Sequence, residues 1–432
     1  MVDCLPAPGG GSAIPVIALV LGLLGAGVIL VVRSGRNRQR PGGRRGAAAA
    51  LLLASIVVVS AVVAAPAPAH AAAGCAAIGD DVEITFVSGG VTYHGSYRGP
   101  AGSGRPVAAA VIVGGTGAVD RDGNGAGIEM AEYAWLAQLL ADQGIATVRF
   151  DKLGTGATGL GPYDADPAAL LSGSYDELRV QPVRDALAFL TAQPGIDASR
   201  LLLLGHSEGG AVAITVASDP GSAPAPAALM LIEPSYDRIL DVVPRQLAVQ
   251  MDAAVAASAM TPADAATLKA WMASGIDAIR SGTPPFPGPG PVPLPAATDF
   301  TAVMRATIAG NIFGSDPAQM VISHAYRTPY GKQFDEIDPA ALAESLKIPV
   351  LVTCGTKDVN TPCGDGSAGS GVAWLSSRFA PGLAQFAELM GVVHILRDVG
   401  SAEVPNLADQ VAYPFSSQLA RELMAFVAPF RG

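Results

Sequence analysis

The sequence predicts an α/β protein, a mostly parallel central sheet flanked by helices, with a helical cap inserted late in the chain. Three observations carry this. Near-continuous apolar runs of strand length alternate with helix-length segments. The first two short runs meet at a glycine pair and make an antiparallel opening. The alternation then stops for about 110 residues and resumes, as a large insertion in one layered core would make it.

Taken in order, Val82 to Val87 and Val91 to Tyr97 are short strands around the turn Gly89-Gly90. Val107 to Val113 is apolar throughout and reads as a buried strand, followed by a helix over Ile128 to Gln143 and a strand over Ile145 to Phe150. A helix around Tyr175 to Gln193, the strand Leu201 to Leu204, a helix from Ser207 to Ala217 and the strand Ala228 to Glu233 continue the rhythm. After the insertion come the strands Val350 to Thr353 and Ala384 to Leu389 and a final amphipathic helix from Ala408 to Phe426. The insertion carries helical stretches at Ile239 to Ala257 and Pro262 to Ile279, then a proline-rich crossing that begins Pro284-Pro285-Phe286-Pro287 and cannot lie inside a helix or strand. The expected division is 1–73 for membrane-directed segments, 74–234 and 348–432 for the two parts of the core, and 235–347 for the cap.

The chain has 432 residues, 50% hydrophobic and only 15% charged, which excludes disorder. Part of that apolar excess lies at the start. Ala13 to Val32 is long enough to cross a bilayer, Ala47 to Ala65 follows it, and between them stand six arginines with no acid, a segment that stays cytoplasmic. The second run also reads as a secretory signal ending at Ala69-His70-Ala71, so the rest of the chain is expected outside, secreted or held at the cell envelope. Without the first 73 residues the chain carries 36 acids and 21 bases, a formal charge of −15, which excludes a nucleic-acid partner. Of the four cysteines, Cys354 and Cys363 are close neighbours and are expected to pair in an oxidising compartment, whereas Cys4 and Cys75 lie in or near the leader.

Gly205-His206-Ser207-Glu208-Gly209 follows an apolar strand and opens a helix. In that setting G-x-S-x-G is a sharp turn that lifts the serine hydroxyl above the sheet, beside the backbone donors of a helix N-terminus. A nucleophilic serine needs a base, and there are five histidines. His70 lies in the signal, His94 in the opening hairpin, His206 beside the serine and His324 in the insertion; His394 alone follows the last strand, where the order serine, acid, histidine puts the base. Asp358, in Gly355-Thr356-Lys357-Asp358 after a strand, is the expected acid, with Glu233 as the runner-up and Asp335 and Asp338 as solvated or cap residues. The expected oxyanion donors are the Glu208 N–H and Thr116, in the glycine loop Gly114-Gly115-Thr116-Gly117. Two other motifs are set aside. Asp120-x-Asp122-x-Asn124-Gly125 starts like a calcium loop but has Ala131 at its twelfth position, and Gly154-x-Gly156-x-x-Gly159 has Pro162 where a nucleotide-binding helix would begin.

From about residue 80 to the C-terminus the chain resembles serine hydrolases of the α/β-hydrolase superfamily, in the carboxylesterase or acyl-aminoacyl-peptidase-like branch. The blocks that carry the resemblance are Gly114 to Gly117 with Asp120 to Asn124, Arg149-Phe150-Asp151-Lys152-x-Gly154-x-Gly156, Gly205 to Gly210, Asp338-Pro339 before Ile348-Pro349-Val350, and Val393-His394. It implies the α/β-hydrolase fold, Ser207, Asp358 and His394 as the triad, and Thr116 and Glu208 as oxyanion donors. The chain departs from it in lacking the histidine of H-G-G-G esterases, in its proline-rich cap and in the two cysteines of the acid loop.

The expected function is an exported serine esterase that needs no metal or cofactor and forms an acyl-enzyme on Ser207. Its substrate is expected to be a small ester with a neutral or apolar acyl group, covered by leucine, methionine, alanine and Trp271 of the insertion; membrane contact is confined to the N-terminal segments. A peptidase or acyltransferase shares the same chemistry, and an inactive envelope binding protein is the non-enzymatic alternative.

Overall fold

The alternating runs become one eight-stranded sheet in the computed structural model, which describes residues 81–99, 105–125, 127–256, 258–282, 326 and 328–431. The expected leader, Cys4, His70, Cys75, His324 and the proline-rich crossing lie outside the described residues. Among those described, no helix is long and apolar enough to cross a membrane.

Strands β1 (Asp81–Ser88) and β2 (Val91–Arg98) form the antiparallel hairpin, with Gly89 and Gly90 at φ 56° and 80°, a region glycine adopts without strain. Then follow β3 (Val107–Val113), α1 (Glu132–Asp142), β4 (Ala146–Phe150), α2 (Gln181–Thr191), β5 (Ile196–His206), α3 (Glu208–Ser218) and β6 (Ala228–Ile232). The insertion supplies α4 (Ile239–Ala256), α5 (Pro262–Arg280), α6 (Pro329–Glu336) and α7 (Pro339–Ser345). The chain closes with β7 (Val350–Gly355), α8 (Val372–Arg378), β8 (Ala384–Leu389), α9 (Leu407–Gln410) and α10 (Ser417–Val427). The sheet order is β1-β2-β4-β3-β5-β6-β7-β8, and every pair from β4 to β8 is parallel.

Central strands are apolar at every position because both faces are covered. Ala109, Val111 and Val113 of β3 and Leu201 and Leu203 of β5 face one core with α2 and α3; Ala108, Ala110, Ile112, Leu202 and Leu204 face a second core with α1 and α10. This is the two-residue period of a strand read on both sides. The neighbouring strands β3 and β5 end side by side, Val113 opposite Gly205, so the loops that follow them emerge together at the C-terminal edge. In open parallel sheets that edge is where ligands bind.

Several expected elements differ. The first helix begins at Glu132 because Asp120 Oδ1 accepts from the N–H of Asp122 and Asn124 and folds the preceding segment into turns. The helix expected from Tyr175 starts with a π-helical turn, Asp176–Val180. The last helix is two helices, since Pro414, which has no N–H to donate, falls between α9 and α10. Asp338 does cap α7, accepting from Ala341 N at 3.0 Å. Asp335 is neither solvated nor a cap. It is buried and accepts from Leu240 N (3.0 Å), Arg238 Nη2 (2.8 Å) and Arg280 Nε (2.9 Å), tying α6 to α4 and α5.

Candidate active site

The chain turns from β5 into α3 through Ser207, at φ 56° and ψ −125°. Holding a non-glycine residue there costs about 1–3 kcal/mol, which the surrounding structure has to supply. It does so by close packing of backbone: a Cβ on Gly209 would lie 2.1 Å from Val113 O, and one on Gly205 would lie 2.3 Å from Gly209 O. The Ser207 N–H donates to Ile232 O at 3.2 Å, and its carbonyl accepts from Ser235 N at 2.8 Å.

His394, in the loop after β8, brings Nε2 to 3.0 Å from Ser207 Oγ and Nδ1 to 2.7 Å from Asp358 Oδ2. The carboxylate accepts from Nδ1–H, which leaves the Nε2 lone pair facing the Ser207 hydroxyl. Asp358 follows β7 with its side chain fully buried. Its Oδ1 accepts from Asn360 N (2.7 Å) and Thr361 N (3.0 Å), and its Oδ2 from Thr361 Oγ1 (2.7 Å). Burial opposes its charge, but the His394 imidazolium and the Thr361 donors outweigh that and hold the carboxyl well below the usual range. Cys354 and Cys363 form the expected disulfide, with Cα atoms 5.2 Å apart, and close the loop that carries Asp358.

Glu233, the runner-up acid, is also at the site. It follows β6 at φ 45°, is 0% exposed, and its Oε2 lies 3.6 Å from the same Nδ1. Neither carboxyl oxygen meets a conventional donor among the described residues. Burial and the neighbouring Asp358 charge push its pKa well above the carboxylate range.

On the other side of Ser207, a Cβ on Gly115 would lie 2.8 Å from Ser207 Cβ, so the glycine lets this loop pack directly against the serine. The Gly115 N–H donates to Tyr133 Oη (2.8 Å), and that hydroxyl meets His206 Nδ1 at 3.0 Å. His206 Nε2 donates to His394 O at 2.9 Å. Both nitrogens of His206 are thus engaged away from the serine, and burial together with the charge of His394 lowers its pKa to about 3, keeping the ring neutral. Lys152 Nζ donates to Gly115 O at 2.5 Å and Arg179 Nη2 to Gly114 O at 3.3 Å. Thr116 lines the cleft beside Ser207. Glu208 begins α3, where its N–H is one of the first-turn donors, while its side chain turns inward to Tyr175 Oη (2.6 Å) and Arg179 Nε (3.1 Å).

The cleft has two characters. Val119, Met130, Val393, Ile395, Val404 and Leu407 line one part, and Gln246, Gln250, Lys357 and Asn360 another. Trp271 does not line it: the side chain packs with the main core, and among the described residues α4 gives the cleft Gln246 and Gln250 instead of an apolar cover. Buried Glu132 also lines the cleft, its pKa raised by burial to about 8. His206, Glu233 and His394 could together face a cation, but the ring nitrogens of both histidines are committed to the hydrogen bonds above.

A family model described as "Serine aminopeptidase, S33" matches residues 124–275, a stretch that holds Ser207 but neither Asp358 nor His394. With the sheet order and the strand-turn-helix around Ser207, this decides the fold. The chain has the α/β-hydrolase fold. No curated protein sequence matches the chain significantly. Solved structures similar to it include the 2,6-dihydroxy-pseudo-oxynicotine hydrolase, at 16% identity over 82% of this chain and 70% of that one, with a TM-score of 0.43. An esterase of Pyrococcus furiosus is similar at 12% identity over 84% and 97% (TM-score 0.45), and a Pyrococcus horikoshii acylaminoacyl peptidase at 12% over 82% and 42% (TM-score 0.44). At such scores the likeness carries no argument about activity.

The structure therefore brings Ser207, Asp358, His394, Thr116 and the start of α3 to one edge of the sheet. Sequence reasoning missed Lys152, Arg179, Tyr133 and Thr361. Lys152 had a trace, a lysine closing an apolar strand before a glycine turn; nothing in the pattern around Arg179 or Tyr133 points to a loop far away in sequence.

Proposed function

We propose that this α/β hydrolase is a serine hydrolase of carboxylic esters. His394 takes the Ser207 proton, Ser207 attacks the ester carbonyl, the alcohol leaves with the proton returned by His394, and water releases the acyl group by the same route. Asp358 holds the imidazole in its tautomer and stabilises the imidazolium, and the N–H groups of Thr116 and Glu208 receive the developing oxyanion. The observation that carries this reading is the unbroken line of hydrogen bonds from Ser207 Oγ through His394 to Asp358, at 3.0 and 2.7 Å. The apolar part of the cleft suits an acyl chain, and the amide-rich part suits a polar leaving group.

Residues 235–347 are read as a cap between the two parts of the core, 74–234 and 348–432. Residues 1–73 are read as membrane-directed segments that place the domain in the cell envelope or outside the cell. The paired arginines and apolar runs of the leader and the disulfide both favour that location.

A second reading, a serine peptidase, is favoured by the description of the matched family model. Hydrolysis of p-nitrophenyl esters from acetate to palmitate by the purified full chain, beside Ser207→Ala, separates the two. Serine-dependent turnover of esters is expected. Turnover confined to aminoacyl anilides would replace the esterase with the peptidase, and inactivity on both, with Ser207 unreactive to a fluorophosphonate, would remove both.

A further inference from the structure

We propose that Glu233 is a second acid for His394, a protonated positioning residue while Asp358 is ionised and the carboxylate that takes over Nδ1 when the charge of Asp358 is removed. The proposal rests on the triad reading above. Two carboxyl groups approach one imidazole nitrogen, Asp358 Oδ2 at 2.7 Å and Glu233 Oε2 at 3.6 Å. They come from different elements: Asp358 from the disulfide-closed loop after β7, Glu233 from the end of β6.

Glu233 is held firmly in this place. Its N–H donates to Thr353 O at 3.0 Å, its carbonyl lies 2.9 Å from Thr361 Oγ1, and its backbone is in the left-handed region, unfavourable for a glutamate. Gly355 makes room for the carboxyl, since a Cβ there would lie 2.7 Å from Glu233 Oε1. A carboxyl with no exposed surface and no donor is costly unless it carries its own proton and has an acceptor beside it. Burial and the Asp358 charge both favour that protonated form.

The titratable groups that face Glu233 are Asp358 from the acid loop, His394 from the loop after β8 and His206 from β5, with Tyr236 beyond it near Asp358. His206 is kept neutral, so the one cation in this set is protonated His394. A protonated Glu233 beside an ionised Asp358 puts a single negative charge behind the imidazole. If Asp358 is replaced, the proton of Glu233 leaves to solvent and its carboxylate accepts from Nδ1–H, while the Asn360 and Thr361 donors lose the acceptor that Asp358 gave them.

The test compares Asp358→Ala with Asp358→Ala/Glu233→Gln in the full chain, alanine being chosen because an amide would compete for Nδ1. Ester kcat/KM is measured across pH, thermal melting shows that both variants fold, and fluorophosphonate labelling of Ser207 repeats the comparison without an ester. Failure of the esterase reading therefore leaves this test intact. The single variant is expected to react on the order of 100-fold faster than the double one. Equal rates for the two, whatever residual rate remains, overturn the proposal. Should Asp358→Ala not fold, Glu233→Gln alone decides. A neutral Glu233 leaves the acid limb of kcat/KM where it stands in the parent; a fall of that limb by about one unit or more would show that an anion had been removed, and the proposal fails.

Discussion

Gly114 and Gly115, on one side of Ser207, are held from a distance: Lys152 lies 37 residues on and Arg179 65, and each reaches one carbonyl. Asp358, on the other side, is held from close by. Asn360 and Thr361 supply its donors, and Cys354 and Cys363 close the loop around it. The difference follows from what each loop offers. A glycine-rich loop has only backbone to grip, so side chains must come to it from other elements, whereas an aspartate in a tight turn binds the amides that follow it. The first arrangement makes the site depend on buried charges, and the second makes it depend on local covalent and hydrogen-bond closure.

The largest break in that comparison is Arg179→Leu. It frees Gly114 O and leaves Glu208, at 5% exposure, as a buried carboxylate without its cation. A loss of about 3–5 kcal/mol in denaturant unfolding is expected, because an unpaired buried charge costs more than the pair contributed. Adding Glu208→Gln should recover most of it, since the oxyanion donor proposed there is the backbone N–H; no recovery would mean that Arg179 acts through packing.

A smaller effect is expected on the acid side. Replacing Cys354 and Cys363 together by alanine reopens a short loop, for which chain entropy predicts a loss of about 2–3 kcal/mol. The Asp358 contacts to His394 and Thr361 remain, so ester turnover at room temperature should drop less than tenfold. A much larger drop with the fold intact would show that the bridge, and not the local donors, holds the carboxylate.

Lys152→Met should give the smallest change in stability and a selective change in rate. Without the grip on Gly115 O, kcat is expected to fall about 10- to 100-fold at nearly constant KM, somewhat less than removal of an oxyanion donor itself. Burial, with the Arg179 charge, depresses the Lys152 pKa to about 7. The folded state therefore binds fewer protons than the unfolded chain between that value and the ordinary lysine range, and stability should rise with pH across that window. The methionine variant should lose this slope, and an identical slope in both proteins would count against a buried Lys152. The rate effect should persist at high pH, because a neutral amine still donates to the carbonyl.

Much of the site was legible where one stretch of chain contains its own reason. Ser207 stands in a motif whose glycines are required by backbone contact; His394 was reached by elimination and by its place after the last strand; Asp358 lies on a strand-end loop between paired cysteines. Asp335 was misjudged for the complementary reason. Its partners Arg238 and Arg280 lie 97 and 55 residues away, and nothing near Asp335 signals that three helices meet on it. Trp271 differs for a similar reason: composition offers it as a cover, but among the described residues the turn of α4 and α5 on the core sets Trp271 against the core and Gln246 and Gln250 at the cleft.

By itself, the sequence determined the layered α/β architecture, the order of Ser207, Asp358 and His394 along it, and the pairing of Cys354 with Cys363, because periodicity, strand-end position and short spacing are written within single segments. The tertiary structure alone decided which buried charges hold the glycine loop beside Ser207, that His206 links that loop to His394 through Tyr133, and that Glu233 and Asp358 meet at one imidazole. Those relations join parts of the chain brought together by the sheet order, and a carboxyl or a lysine acquires its protonation state only from the neighbours and the burial that the fold provides.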